Sequence, residues 1–496
     1  MRYDVVIIGA GLGGLECGVL LSRRGKRVCV LEKEHLVGGC LQAYRRGKHD
    51  FDTGFHYVGG LDEGQKLHSL FSNLGLCDLP WHRMNRDCFD RIVIDGEEYD
   101  YPMGFDNFEQ RMTSYFPHEA QGIRQYVTLL REIAEHIGDT AHSLPLFNIS
   151  AKQWLEERIA DRKLIKVLCG ASLKMELSPR LPLYTFAQIN SSFIQSAYRL
   201  KGSGQQVADR LAELIRHNGG EVRVKAKVEN LEENDTHITA AILDNGERLE
   251  ADIFIADIHP AAAMTLLQDS KLVKRIQRNR FARLDNTYGM LTVSLILKGD
   301  GIPYNDRNTY VYDGIDDFWN PEQMAQGNAV LITERYEATD RCHQIDILTP
   351  VIWQEVEQWQ DTHVMHRGHD YELWKQRRAQ KAISLAQNVL FETKKQGTKN
   401  KEQRSEASVN DLIDKIYVSS PLTYRDYTAT AQGSAYGIRK DCENIMFTLL
   451  SPRTAAPNLL LTGQNLNLHG ILGTSMTAQM TVEEVEKMEI EKLRNN

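Results

Sequence analysis

An apolar run from Tyr3 to Ile8 leads into Gly9-Ala10-Gly11-Leu12-Gly13-Gly14. A helical stretch follows, then a second apolar run that ends at Glu32. These residue types have separate tasks on an adenine dinucleotide. Gly9 permits a tight turn, Gly11 lets the backbone approach a pyrophosphate, and Gly14 lets the helix pack close to the strand, with Gly13 in the same cofactor-binding turn. The helix start offers free N–H groups and the positive end of a dipole to the phosphates. Glu32 lies eighteen residues beyond Gly14, followed by Lys33. There a carboxylate can accept hydrogen bonds from a ribose diol, and it repels a ribose 2′-phosphate, which favours FAD or NAD over NADP. An ordinary glycine-rich turn is the alternative. The strand, helix and acid in their mechanistic places argue against it.

Three further side chains are candidates for chemistry. His56 follows Phe51-Asp52-Thr53-Gly54 and is suited to orient a substrate or relay a proton near neutral pH; a structural histidine bonded to backbone is the alternative. Tyr436 and His469 are candidates to line a cavity or to pack. His363, His366 and His369 form an H-x-x-H-x-x-H run whose spacing could gather metal ligands on a helix face. Gly368 interrupts that helix pattern, so no metal site is expected. Lys271 to Phe281 mixes cations with Leu272, Val273, Ile276 and Phe281. It reads either as a peripheral contact with anionic lipid or as a solvated helix with one buried face.

These groups need elements to hold them. Residues 1–75, 196–270 and 440–496 are expected to form a discontinuous nucleotide-binding domain, with 76–195 and 271–439 forming a substrate domain. A long helix pattern covers much of 107–138. Residues 151–200 look mainly helical with breaks at Pro179 and Pro182. A helix opens at Gly202-Ser203-Gly204, and Glu221 to Val228 alternates as a strand. Strands are expected at Ile238–Leu243, Asp252–Ala256, Met290–Leu297, Asn328–Glu334 and Leu459–Thr462, with a helix from Tyr371 to Lys395. Lys394 to Lys401 reads as a solvated loop. The fold class is α/β: a Rossmann-like domain interleaved with a mixed α+β substrate domain.

Gly38-Gly39-Cys40, Phe51 to Gly59, Ser420-Pro421-Leu422-Thr423, Gly433-Ser434-Ala435-Tyr436-Gly437 and Asn458 to Asn465 run through the chain in order. With the first turn they resemble the flavoproteins that include amine oxidases, carotenoid desaturases and isomerases, and retinol saturase, most closely retinol saturase and its bacterial relatives. The resemblance implies FAD, with Gly38 and Gly39 beside it and the backbone of Val228 near the adenine. It places Gly463, Gln464 and Asn465 at the phosphates and ribityl chain. Gly470, Ile471 and Leu472 then start the last helix, with N–H groups facing the flavin ring. Where many relatives carry an acid, this chain has Asn465, whose amide can still bond ribityl hydroxyls.

The activity implied is redox chemistry on carbon–carbon bonds of an apolar isoprenoid or polyene, in a saturase, desaturase or isomerase direction, with saturation preferred. A flavin amine oxidase is one rival; a prenyl-binding escort protein without redox chemistry is the other. Only one full glycine fingerprint exists, so a second nucleotide domain is not expected. NAD(P)H would act as a transient visitor, or electrons would pass to or from an external partner.

Composition sets the outer bounds. At 496 residues, 42% of them apolar, the chain suits two interlocked domains. A net charge of −8 leaves no nucleic-acid footprint. Eight cysteines without a C-x-x-C pair read as buried thiols in a reducing compartment. The first strand pattern starts at Tyr3 and no apolar run reaches membrane-spanning length. The expected location is cytoplasmic, or peripheral on the cytoplasmic membrane face.

Overall fold

The computed structural model describes residues 2–390 and 412–495. A seven-stranded sheet carries the N-terminal turn. Its order is Glu221–Arg223, Val28–Leu31, Arg2–Ile8, Arg248–Ala256, Ile238–Leu243, Val228–Glu233, and Leu459–Leu461 pairs with Arg248–Ala256 off this path. The first four strands and Leu459–Leu461 run parallel. Val5, Val6, Ile7 and all of Val28–Leu31 are buried, as expected of parallel strands covered on both faces. Arg248–Ala256 changes partner along its length. Its first residues pair antiparallel with Ile238–Leu243, and Phe254 to Ala256 pair with Leu459 to Leu461. The helix Leu12–Arg23 packs between Gln205–His217 and the long C-terminal helix Gly470–Asn495.

A second seven-stranded sheet runs Ile413–Ser419, Gly289–Leu297, Gln344–Val351, Ala329–Glu334, Asn308–Tyr312, Asp90–Ile94, Glu97–Tyr101. All its pairs are antiparallel except Asn308–Tyr312 with Asp90–Ile94. The helix His369–Leu390 buries Tyr371, Ala379, Ala382, Ile383 and Ala386 against one face. The other face joins a core shared with the helices Ala120–Glu135, Arg162–Cys169 and Leu183–Gln195.

Four local expectations need correction. The helix over 107–138 is two helices, Phe105–Tyr115 and Ala120–Glu135, because Pro117 cannot continue the ladder and starts a short 3₁₀ turn. The strand expected over Glu221 to Val228 splits into Glu221–Arg223 and Val228–Glu233. Lys225 between them has φ 54°, outside the extended region. The stretch after residue 75, read as irregular, holds the strands Trp81–Arg83, Asp90–Ile94 and Glu97–Tyr101. Residues 197–200, read with the helices, form a strand. Lys394 to Lys401, with the end of the helix expected to reach Lys395, lies outside the described residues.

Candidate active site

One cleft of ≈ 520 Å³ runs from the glycine turn of the first sheet to the inner face of the second. Gly9, with φ +100°, turns the chain off the strand Arg2–Ile8. A Cβ on Gly11 would stand 2.6 Å from Asp257 Oδ2, and one on Gly13 would stand 3.0 Å from Gly463 Cα. The helix Leu12–Arg23 has Gly11 as its N-cap, no side-chain cap and no acid in its first turn. No side chain of its own caps its leading N–H groups, which face the cleft at the turn beside the Asp257 carboxyl. This cradle, too close for any side chain and lined with backbone donors, fits the pyrophosphate of a dinucleotide.

Glu32 is buried at the end of Val28–Leu31. Its Oε2 accepts from Ala10 N at 2.9 Å, and Oε1 accepts from Glu34 N at 2.9 Å. A carboxylate has about four lone-pair positions, so capacity remains for a ribose diol. Lys33, Gly38, Gly39, Val228, Gly463, Gln464, Asn465, Gly470, Ile471 and Leu472 line the same cleft. Gly14 does not face the cleft. It lies under the turn against the Gly9 carbonyl, where a side chain would collide. Asn465 is already engaged: its Oδ1 accepts from Ile438 N at 3.1 Å, leaving the amide nitrogen for a ribityl hydroxyl. Beneath it the buried Lys440 ammonium donates to the carbonyls of Thr448, Asn465 and Leu466 at 2.8, 2.7 and 2.9 Å.

His56, Tyr436 and His469 all line the cleft. The Tyr436 hydroxyl donates to the Leu173 carbonyl, and its ring lies 4.7 Å from that of His469. His469 Nε2 lies 3.2 Å from the Lys174 carbonyl, which fixes the Nε2–H tautomer. Burial pushes His56 down to about 4, helped by the Arg199 charge, and burial likewise pushes His469 to about 4. Both rings are therefore neutral near pH 7. At neutral pH His56 thus meets the cleft as a neutral ring with one N–H and one lone pair, not as an imidazolium.

Two residues were missed by sequence reasoning. Asp257, directly after the strand Arg248–Ala256, places its carboxyl over the glycine turn. Burial raises it to about 7, opposed by the Gly14 and Gly11 N–H groups and reinforced by Glu32. The second is Lys174, at the end of the 3₁₀ turn Ser172–Lys174, buried and facing the cleft. Its ammonium stands 3.6 Å from Asp90 Oδ2 and 4.1 Å from the centre of the Phe193 ring. Burial lowers Lys174 to about 8, against the pull of Asp90. The available signal was a lone cation in the apolar run Leu168 to Leu177.

The remaining motifs lie elsewhere. His366 N bonds the His363 carbonyl at 3.0 Å in a tight turn, and His369 begins the following helix. Among the described residues no group of three or more His, Cys, Asp or Glu is placed to hold a metal. In Lys271 to Phe281, Val273 is buried, Leu272 and Phe281 pack against the core, and Ile276 is exposed. All eight cysteines are free. No helix among the described residues is long and apolar enough to cross a membrane.

Residues 7–74 match the family described as NAD(P)-binding Rossmann-like domain. The all-trans-retinol 13,14-reductase of Rattus norvegicus is 25% identical over 95% of this chain and 84% of its own length. A 4,4'-diapophytoene desaturase (4,4'-diapolycopene-forming) of Methylomonas sp is 26% identical over 62% of this chain and 63% of its own. A chloroplastic prolycopene isomerase of Daucus carota is 23% identical, covering 88% and 72%. The chain is thus similar, over most of its length, to retinol saturases and to carotenoid desaturases and isomerases. Among solved structures, a putrescine oxidase variant is similar with a TM-score of 0.64 at 17% identity, over 98% of this chain and 99% of that one. That likeness shows a shared fold. These likenesses imply a flavin cofactor, and the cradle between Gly11, Gly13 and Gly463 fits a dinucleotide.

Proposed function

We propose that this chain is an FAD-dependent oxidoreductase acting on carbon–carbon double bonds of an apolar polyene or isoprenoid, with saturation the preferred direction. One observation carries the reading: the dinucleotide cradle opens without a break into an arm lined by Leu173, Ile189, Phe193, Met290, Leu331 and Leu348. An apolar chain laid in that arm gains by leaving water. The relatives named above for retinol and carotenoid chemistry support the same class of substrate. A bound flavin supplies two-electron exchange with a carbon–carbon bond.

The chain's own residues bind and orient. Glu32 and the glycine turn hold the nucleotide end. Tyr436 and His469 tie the segment carrying Leu173 and Lys174 to the start of the last helix. Burial keeps both histidines neutral, so they position rather than ionise. The electron source lies outside the chain, either NAD(P)H entering the cleft transiently or a redox partner.

An amine oxidase shares the fold, but the Lys174 ammonium in the cleft opposes a protonated amine. An escort protein needs no dinucleotide cradle. The test is to purify the protein, record its flavin absorption, photoreduce it without oxygen and add a panel of polyenes. Flavin reoxidation with loss of one double bond is the expected result. A colourless protein, or hydrogen peroxide released with amines and no reaction with polyenes, overturns the reading. Reduction of the oxidised flavin by substrate alone reverses the preferred direction.

A further inference from the structure

Lys174 has donors to spare. An ammonium carries three N–H groups, yet the nearest acceptors are the Tyr57 hydroxyl at 3.4 Å and Asp90 Oδ2 at 3.6 Å. The first is a long hydrogen bond and the second a loose ion pair, so at least one N–H is left for another acceptor. Asp90 is fully buried and occupied by others: Oδ2 accepts from the Tyr57 hydroxyl at 2.9 Å, and Oδ1 accepts from Asn308 Nδ2 at 2.8 Å. Asp90 therefore balances the charge of Lys174 and engages at most one of its three donors, loosely. The side chain of Lys174 is only 9% exposed, and it faces the cleft. Burying donors without close acceptors is costly, and an acceptor oxygen in the cleft would remove that cost. Gln188 lines the same cleft from the helix Leu183–Gln195, buried, with no side-chain hydrogen bond among the described residues.

We propose that Lys174 holds the oxygenated end of the substrate, so that the cleft takes a polyene or isoprenoid with a hydroxyl or carboxylate terminus in preference to the bare hydrocarbon. This deepens the polyene reading and rests on it. The apolar wall formed by Leu173, Ile189 and Phe193 receives the adjoining chain. Position follows from two contacts. The Lys174 carbonyl pairs with His469 and the Leu173 carbonyl with Tyr436, and His469 directly precedes the last helix, Gly470–Asn495. The oxygenated end is thereby held on a segment tied to the start of the last helix.

The test compares three polyenes of equal length, a carboxylate, an alcohol and a hydrocarbon, by equilibrium binding to the flavin-loaded protein, read from polyene absorbance. The wild type is expected to bind the oxygenated pair about tenfold more tightly than the hydrocarbon. Lys174→Met brings the three to parity while flavin content and hydrocarbon affinity stay at wild-type values, and Lys174→Arg restores the preference. Equal binding of the three by the wild type overturns the proposal, and that comparison decides even where Lys174→Met fails to fold. A preference that survives in a folded Lys174→Met overturns it as well. Failure of all three polyenes to bind sinks the polyene reading itself.

Discussion

Gly13 and Gly463 touch. A Cβ added to Gly13 would stand 3.0 Å from the Gly463 Cα and 2.9 Å from Asp257 Oδ1. The first turn of the chain and a turn near its other end therefore form one wall, because Leu459–Leu461 joins the sheet beside Arg248–Ala256.

Gly13→Ala is expected to force these turns apart. Neither the Gly463 backbone nor the buried Asp257 can give way cheaply, and crowding of this kind costs about 1–3 kcal/mol. The melting temperature should fall, and flavin should be lost on gel filtration. Full flavin retention would show that the contact does not shape the cradle.

Glu32→Ala removes the acceptor for both Ala10 N and Glu34 N. Each buried donor left unpaired costs about 1–3 kcal/mol. Lower thermal stability and reduced flavin content after dialysis are expected together. Glu32→Gln, which keeps one acceptor oxygen, should fall between the two proteins.

Lys440→Met strands three carbonyls under the turn that carries Asn465. Destabilisation of about 2–5 kcal/mol is expected, read as a lower midpoint in urea. Because Asn465 sits on that turn, flavin release should also be faster than in the wild type. A midpoint unchanged from wild type would rule out this support.

His56 and His469 set a pH dependence whose sign can be worked out. Their folded values, about 4, lie below the unfolded value near 6.5. Between those limits the unfolded chain binds more protons, so their contribution is present above about pH 6.5 and is lost as pH falls towards 4. Ring resonances of both histidines should keep their neutral positions down to about pH 5. A His56→Gln/His469→Gln protein should lose less stability than the wild type across this window. Titration of either ring near its unfolded value would remove the account.

The flavin end was legible in the sequence because its requirements are local. Gly9, Gly11 and Glu32 owe their roles to turn geometry and to spacing along one strand–helix–strand unit. The C-terminal wall was reached through the likeness of Asn458 to Asn465 to known flavoproteins, since a three-residue strand and a glycine turn have no pattern of their own. The break at Pro117 is legible from a single residue, because proline cannot continue the helical ladder, even though the apolar period runs on around it. The strands Asp90–Ile94 and Glu97–Tyr101 had too short an alternation to stand out.

Residue types and spacing alone determined the dinucleotide turn and the α/β class. Those depend on backbone conformation and on residues near in sequence. Tertiary structure decided which protonation states hold and where the cleft's cation stands. His56 is neutral because distant segments bury it, and Lys174 meets Asp90 only because two remote stretches converge in one core. Desolvation and Coulomb attraction depend on distance through space, and the order of residues along the chain does not carry that distance.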